Sequence, residues 1–86
     1  MTIFRLTHHA KEEMARRQIS EDVVEKVLQA PEQIIEERGG RKSYQSLVDM
    51  EGKTYLVRAI VEEWVEPAVV VTIYRTSNVG KYWRAE

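Results

Sequence analysis

Lys53-Thr-Tyr-Leu-Val-Arg-Ala-Ile-Val-Glu62 is the segment from which the fold is read. Its residues alternate between two faces. Tyr55, Val57, Ala59 and Val61 lie on one, and Leu56, Arg58 and Ile60 on the other, as the period of two in a β-strand demands. Glu51-Gly52 just before it marks a turn, and the preceding run from about Arg41 to Met50 reads as its hairpin partner. Further upstream, Gln33 to Arg38 reads as a short strand leading into the tight-turn signal Gly39-Gly40. Downstream, Glu66-Pro67 marks a turn into Ala68 to Thr76, the most β-prone stretch, predicted to lie centrally in the sheet. Consecutive strands joined by short turns describe an antiparallel meander. Ile3 to Leu6 is a candidate additional edge strand.

The N-terminal third has a different period. Thr7 is a good N-cap for a helix whose apolar stripe is Leu6, Ala10 and Met14, spaced by four. Ser20 is a second N-cap, with Glu21 and Asp22 in the first turn, where carboxylates complement the helix dipole. Val23, Val24, Val27 and Leu28 form the stripe of this second helix, and Pro31 stops it near Ala30. The tail from Ser77 to Glu86 is polar and aromatic, predicted as a short helix or an ordered arm. The expected fold is one α+β domain over residues 1–86. Two N-terminal helices pack on one face of a three- to five-stranded antiparallel meander sheet.

Composition narrows the class. The 86 residues are 43% apolar and 31% charged, which is globular composition and leaves interior for one core only. Cysteine is absent, so disulfides and thiolate metal sites are excluded and a cytoplasmic location is the simplest expectation. The longest apolar run, Ala68 to Ile73 with one threonine inside, falls far short of the roughly 20 residues that span a bilayer. Met1 to His9 holds no apolar region like that of a secretory signal. Net charge is −1, but the charge falls in alternating blocks: basic over 1–20, 38–58 and 73–86, acidic over 21–37 and 59–72. Folding can gather the basic blocks on one surface, or leave all of them as separate solvated faces.

Three groups of side chains carry candidate chemistry. His9, Glu13 and Arg17 recur at i, i+4 and i+8 on the first helix. They line up an imidazole as general acid or base, a carboxylate to orient it and a guanidinium for a phosphate. Ordinary surface ion pairing accounts for the same spacing. His8 with Glu12, or His9 with Glu13, supplies two metal ligands at most, too few for a site, so no metal and no cofactor is expected. Arg58 stands mid-strand between Leu56 and Ile60, which calls for a carboxylate partner such as Glu13 or for a bound anion. Tyr74, Arg75, Lys81, Tyr82, Trp83 and Arg84 interleave cations and aromatics. Single-stranded nucleic-acid surfaces do the same, as does an aromatic tail packed on its core. Tyr44 adds a candidate hydroxyl from the hairpin.

Several stretches together resemble a known family: Thr7-His8-His9-Ala10 leading to Arg17-Gln18-Ile19-Ser20, then Val27-Leu28-Gln29-Ala30-Pro31-Glu32, the strand bearing Tyr44, and Val71-Thr72-Ile73-Tyr74. They resemble, over nearly the whole chain, the bacterial and archaeal family called domain of unknown function 4258. That family's layout is similar to the BrnT toxins and more loosely to the RelE/ParE group. The resemblance implies a toxin-like, metal-independent endoribonuclease neutralised by an antitoxin protein. It would use His9 as base or acid, Arg17, Arg58 and Arg75 as phosphate clamps, and Tyr74 as proton donor. Lys81, Tyr82 and Arg84 would complete an RNA-binding surface. The slightly acidic charge departs from the usual basic character of such toxins. The alternative is a non-catalytic module that binds protein or nucleic acid, including a homodimer formed through a sheet face or an edge strand. A small-molecule binder ranks third, because so short a chain rarely encloses a pocket of useful size unless it dimerises.

Overall fold

Thr7 and Ser20 set the start of the two long helices. In the computed structural model, which describes residues 3–85, Thr7 Oγ1 accepts from the Ala10 amide at 3.0 Å and opens α1 (His8–Arg16). The same hydroxyl donates to the Val71 carbonyl at 2.9 Å, so one side chain both caps the helix and ties it to the sheet. Ser20 Oγ accepts from the Val23 amide at 3.2 Å and opens α2 (Glu21–Gln29), with Glu21 and Asp22 in its first turn. These caps each satisfy one of the amides that a helix start leaves unpaired.

Five strands follow the alternation of the sequence: β1 (Phe4–Leu6), β2 (Gln33–Glu36), β3 (Lys42–Met50), β4 (Lys53–Glu62) and β5 (Ala68–Thr76). Their order in the sheet is β1-β5-β4-β3-β2. The pairs β2–β3, β3–β4 and β4–β5 are antiparallel, and β1 pairs with β5 in parallel, Phe4 opposite Ala68 and Leu6 opposite Val70. The sheet is therefore mixed and mostly antiparallel, which corrects the expectation of a purely antiparallel meander. Meander turns dictate antiparallel pairing only between neighbours in sequence. The β1–β5 pair joins the two ends of the fold, and the helices lie between them.

The central strand is β4, not β5 as expected. β1 covers only Ala68–Val70 of β5's outer edge, and α1 packs alongside β5. Between β2 and β3 lies a single 3-10 turn, Arg38–Gly40. Gly39 and Gly40 both adopt positive φ (75° and 79°), a region that disfavours side chains. A Cβ on Gly40 would also meet the Trp64 ring at 3.3 Å.

The two faces of the sheet are unlike. On the helix side, Tyr44, Ala59 and Ile73 align across β3, β4 and β5. They pack with Val57, Val61 and Val70 against Ala10, Ile19, Val24, Val27 and Leu28. A register shift between Ile60 and Val61 brings Val61 opposite Val70, keeping both on the apolar side past the bulge. On the other side the aligned row is Gln45, Arg58 and Tyr74, and that face is covered by α3 (Val79–Tyr82) and the residues after it. Among the described residues no helix is long and apolar enough to cross a membrane.

Ile73 is fully buried in this core, so Ile73→Ala removes well-packed volume. It is expected to lower stability by about 2–5 kcal/mol in urea unfolding. Ile34→Ala, at an exposed position of edge strand β2, is expected to change stability by about 0.5 kcal/mol or less.

Candidate functional site

Arg58 is the centre of the polar face. Its side chain is 6% exposed, and burying a guanidinium is tolerated only when its charge and donors are met. Nε donates to Gln45 Oε1 at 2.8 Å, Nη1 to the Tyr74 hydroxyl at 2.5 Å, and Nη2 to both Glu37 Oε2 and Ser43 Oγ at 2.8 Å. The Tyr82 ring lies against the guanidinium, its centroid 4.3 Å from Cζ. The carboxylate partner is thus Glu37, supplied by the chain just after β2. Glu13, the partner suggested by sequence, accepts from Arg16 at 2.7 Å and Arg17 at 3.0 Å.

A second tier holds the first in place. Ser43 Oγ donates to Glu37 Oε2 at 2.6 Å. Gln45, fully buried, donates from Nε2 to Gln33 Oε1 at 2.8 Å and to the Tyr82 carbonyl at 3.3 Å. Gln33 then engages Arg84 through both main-chain groups: its Oε1 accepts from the Arg84 amide at 3.1 Å, and its Nε2 donates to the Arg84 carbonyl at 2.6 Å. Two neutral amide side chains thereby fasten the C-terminal segment over the sheet.

The result is a carboxylate and a phenol held on the two terminal nitrogens of one guanidinium. Glu37 sits below the usual carboxylate range, chiefly because the Ser43 hydroxyl bonds to it and then because Arg58 does, against the opposing effect of burial. Arg84 adds a smaller attraction in the same direction. Tyr74 is raised, chiefly by burial, although Arg58 pulls the other way. One group is held ionised and the other protonated at neutral pH. Arg17 stands 5.8 Å from the Tyr74 ring centroid, and Lys81 5.3 Å from that of Tyr82. Cations therefore flank both rings at the rim.

Of the residues singled out in the sequence, the structure brings together Arg17, Arg58, Tyr74, Tyr82, Lys81 and Arg84. It does not bring His9 to them. His9 is exposed, has no side-chain hydrogen bond or ion pair among the described residues, and lies two turns of α1 before Arg17, about 12 Å along the axis. A shared helix stripe aligns residues but does not make those eight apart converge. Arg75 is also separate. Next to Tyr74 in an extended strand, it faces the helix side, against the Tyr55 ring at 4.5 Å. Arg58 itself has most of its donors committed within the fold, where they hold Glu37 and Tyr74 in place. Tyr44 is on the helix side too, donating to the Glu63 carboxylate, and burial pushes its pKa up to about 12. His8 pairs with Glu12 at 3.4 Å, and among the described residues no three of His, Cys, Asp and Glu come together as a metal site.

Glu37, Ser43, Gln45 and Gln33 were not singled out in the sequence. The available signal was Ser43 and Gln45, two polar residues at alternate positions of a strand, with Gln45 directly opposite Arg58 across the hairpin and Ser43 opposite Ile60.

With this geometry in view, the chain can be classed as a small α+β domain whose candidate site lies on the sheet face opposite α1 and α2, under α3. The family Domain of unknown function (DUF4258) matches residues 6–75, and the chain belongs to that family. No curated protein and no solved structure matches the chain.

Because Glu37 has a lower pKa folded than unfolded, its stabilising contribution is complete above its unfolded pKa. That contribution is lost as pH falls through the folded value. Glu13 and Glu63 are shifted in the same direction, so acid destabilisation is shared among several groups. Glu37→Gln is expected to lose about 1–3 kcal/mol at neutral pH. Its stability should also fall less steeply than wild type in urea midpoints followed from about pH 7 to pH 3.

Proposed function

We propose that the Glu37–Arg58–Tyr74 face is the centre of a toxin-like endoribonuclease that cleaves single-stranded RNA without a metal. The observation that carries this reading is geometric: one fixed guanidinium holds a carboxylate on Nη2 and a phenol on Nη1. Cleavage by the ribose 2′-hydroxyl needs those two functions. Glu37 takes the 2′-hydroxyl proton as the oxygen attacks phosphorus, and Tyr74 gives its proton to the departing 5′-oxygen. The P–O5′ bond breaks and a 2′,3′-cyclic phosphate remains. Arg17, Lys81 and Arg84 stand where they can attract the phosphate backbone, and Tyr82 offers a ring for a base. A toxin of this kind would be held in check by an antitoxin protein.

A non-catalytic RNA- or protein-binding module is the second reading. The observation favouring it is that the Tyr82 ring already lies on Arg58, so the rim presents cations and rings more openly than it presents the acid–base pair.

Single-stranded RNA incubated with the purified protein in the presence of a chelator separates the two. The nuclease reading predicts cleavage to cyclic phosphate ends. Tyr74→Phe and Glu37→Gln should each slow it by about 10²–10⁴-fold while RNA affinity changes little. RNA bound normally but left intact by the wild type would move the conclusion to the binding module.

A further inference from the structure

Among the described residues Arg5 and Arg38 are exposed and carry no ion pair, whereas most of the less exposed arginines have a carboxylate. Arg16 and Arg17 share Glu13, Arg41 pairs with Glu62, and Arg58 with Glu37. Arg75 is half-buried and has no carboxylate partner among the described residues. Its guanidinium lies 4.5 Å from the Tyr55 ring centroid, and Nη1 approaches Met50 Sδ at 3.8 Å. A thioether is a weak acceptor and a ring face takes no directed hydrogen bond, so most of the five donors of this guanidinium have no protein acceptor. A second cation, Lys53 Nζ, stands 5.8 Å from the same ring. Two cations on one tyrosine with no carboxylate between them is the converse of the neutralised network around Arg58.

We infer that Tyr55, Arg75 and Lys53 form a second nucleotide subsite, with Arg75 and Lys53 taking phosphate oxygens and the Tyr55 ring stacking a base. This rests on the RNA reading above and extends it to the opposite side of the sheet. Arg75 is opposite Val57, on the helix-bearing face, whereas Tyr74 is opposite Arg58 on the other. A strand occupying both subsites must pass around the end of β5, near Thr76 to Asn78, rather than lie across one face. Short RNA then reaches one subsite, and long RNA reaches both.

The test uses non-cleavable 2′-O-methyl RNA of about four and about twelve nucleotides, both within the range of common single-strand footprints, titrated by fluorescence anisotropy across a salt series. Arg75→Gln and Lys53→Gln are expected to weaken binding of the long RNA by roughly 3- to 10-fold. Each should lower the slope of log affinity against log salt by about 0.7, the loss of one phosphate contact. Tyr55→Leu is expected to weaken it about tenfold through lost stacking. All three should leave the short RNA bound as by wild type, whereas Arg17→Gln should weaken both lengths. Lys53 is exposed, so its variant keeps the test independent of packing around Arg75. No effect of these variants on the long RNA, with Arg17→Gln still weakening it, overturns the second subsite and leaves the first standing. Equal weakening at both lengths also overturns it. Failure of the wild type to bind either length overturns both.

Discussion

A buried guanidinium on the sheet face opposite α1 and α2 is the constraint around which this domain is arranged. An isolated charge there would cost several kcal/mol, a large fraction of what a domain of this size has in reserve. The chain meets that demand from four separate places: Glu37 after β2, Ser43 and Gln45 on β3, Tyr74 on β5, and Tyr82 from α3. Each contributor is then itself restrained. Gln45 reaches Gln33 and the Tyr82 carbonyl, and Gln33 holds Arg84. A hydrophobic row at these positions would stabilise the sheet as well or better, but it would not fix a carboxylate and a phenol at a defined separation.

The two sides of the sheet divide the work. The apolar row Tyr44–Ala59–Ile73 and the stripes of α1 and α2 supply burial. The polar row Gln45–Arg58–Tyr74 is carried on the same strands, one residue out of phase. The positions of the site are thus set by the register of the core, since a one-residue slip would exchange the two rows. Glu37, Arg58 and Tyr74 all lie within residues 6–75, the part of the chain that the family matches, whereas Tyr82 and Arg84 lie beyond it. The carboxylate–phenol pair is therefore on the shared fold, and its aromatic cover is on the segment outside.

Much of the fold was legible because it is local. The alternation from Lys53 to Glu62 and from Ala68 to Thr76, and the caps at Thr7 and Ser20, describe elements whose bounds match the structure. The parallel β1–β5 pair was not legible, because three residues carry too little pattern to declare a partner more than sixty positions away. The site was legible in part. Arg58, Tyr74, Arg17 and Tyr82 stood out by residue type, but the carboxylate for Arg58 was sought on α1. Glu13 is instead held by Arg16 and Arg17, its i+3 and i+4 neighbours. The strand period also bore on Tyr74 and Arg75: adjacent residues of a strand face opposite ways, so one phosphate cluster could not hold both.

Arg58 is the residue whose behaviour most directly reports whether this account is right. The measurement is the side-chain Nε–Hε resonance of Arg58 by ¹⁵N NMR, assigned by comparison with Arg58→Lys, with its solvent exchange followed at neutral pH. A guanidinium donating to buried Gln45 and backed by Glu37 and Tyr74 gives a dispersed, slowly exchanging Nε–Hε signal. That signal should shift in Tyr74→Phe and collapse toward the free-arginine position in Gln45→Leu. An Arg58 signal at the free-arginine position, exchanging as fast as those of surface arginines and indifferent to both substitutions, would contradict the account at its centre.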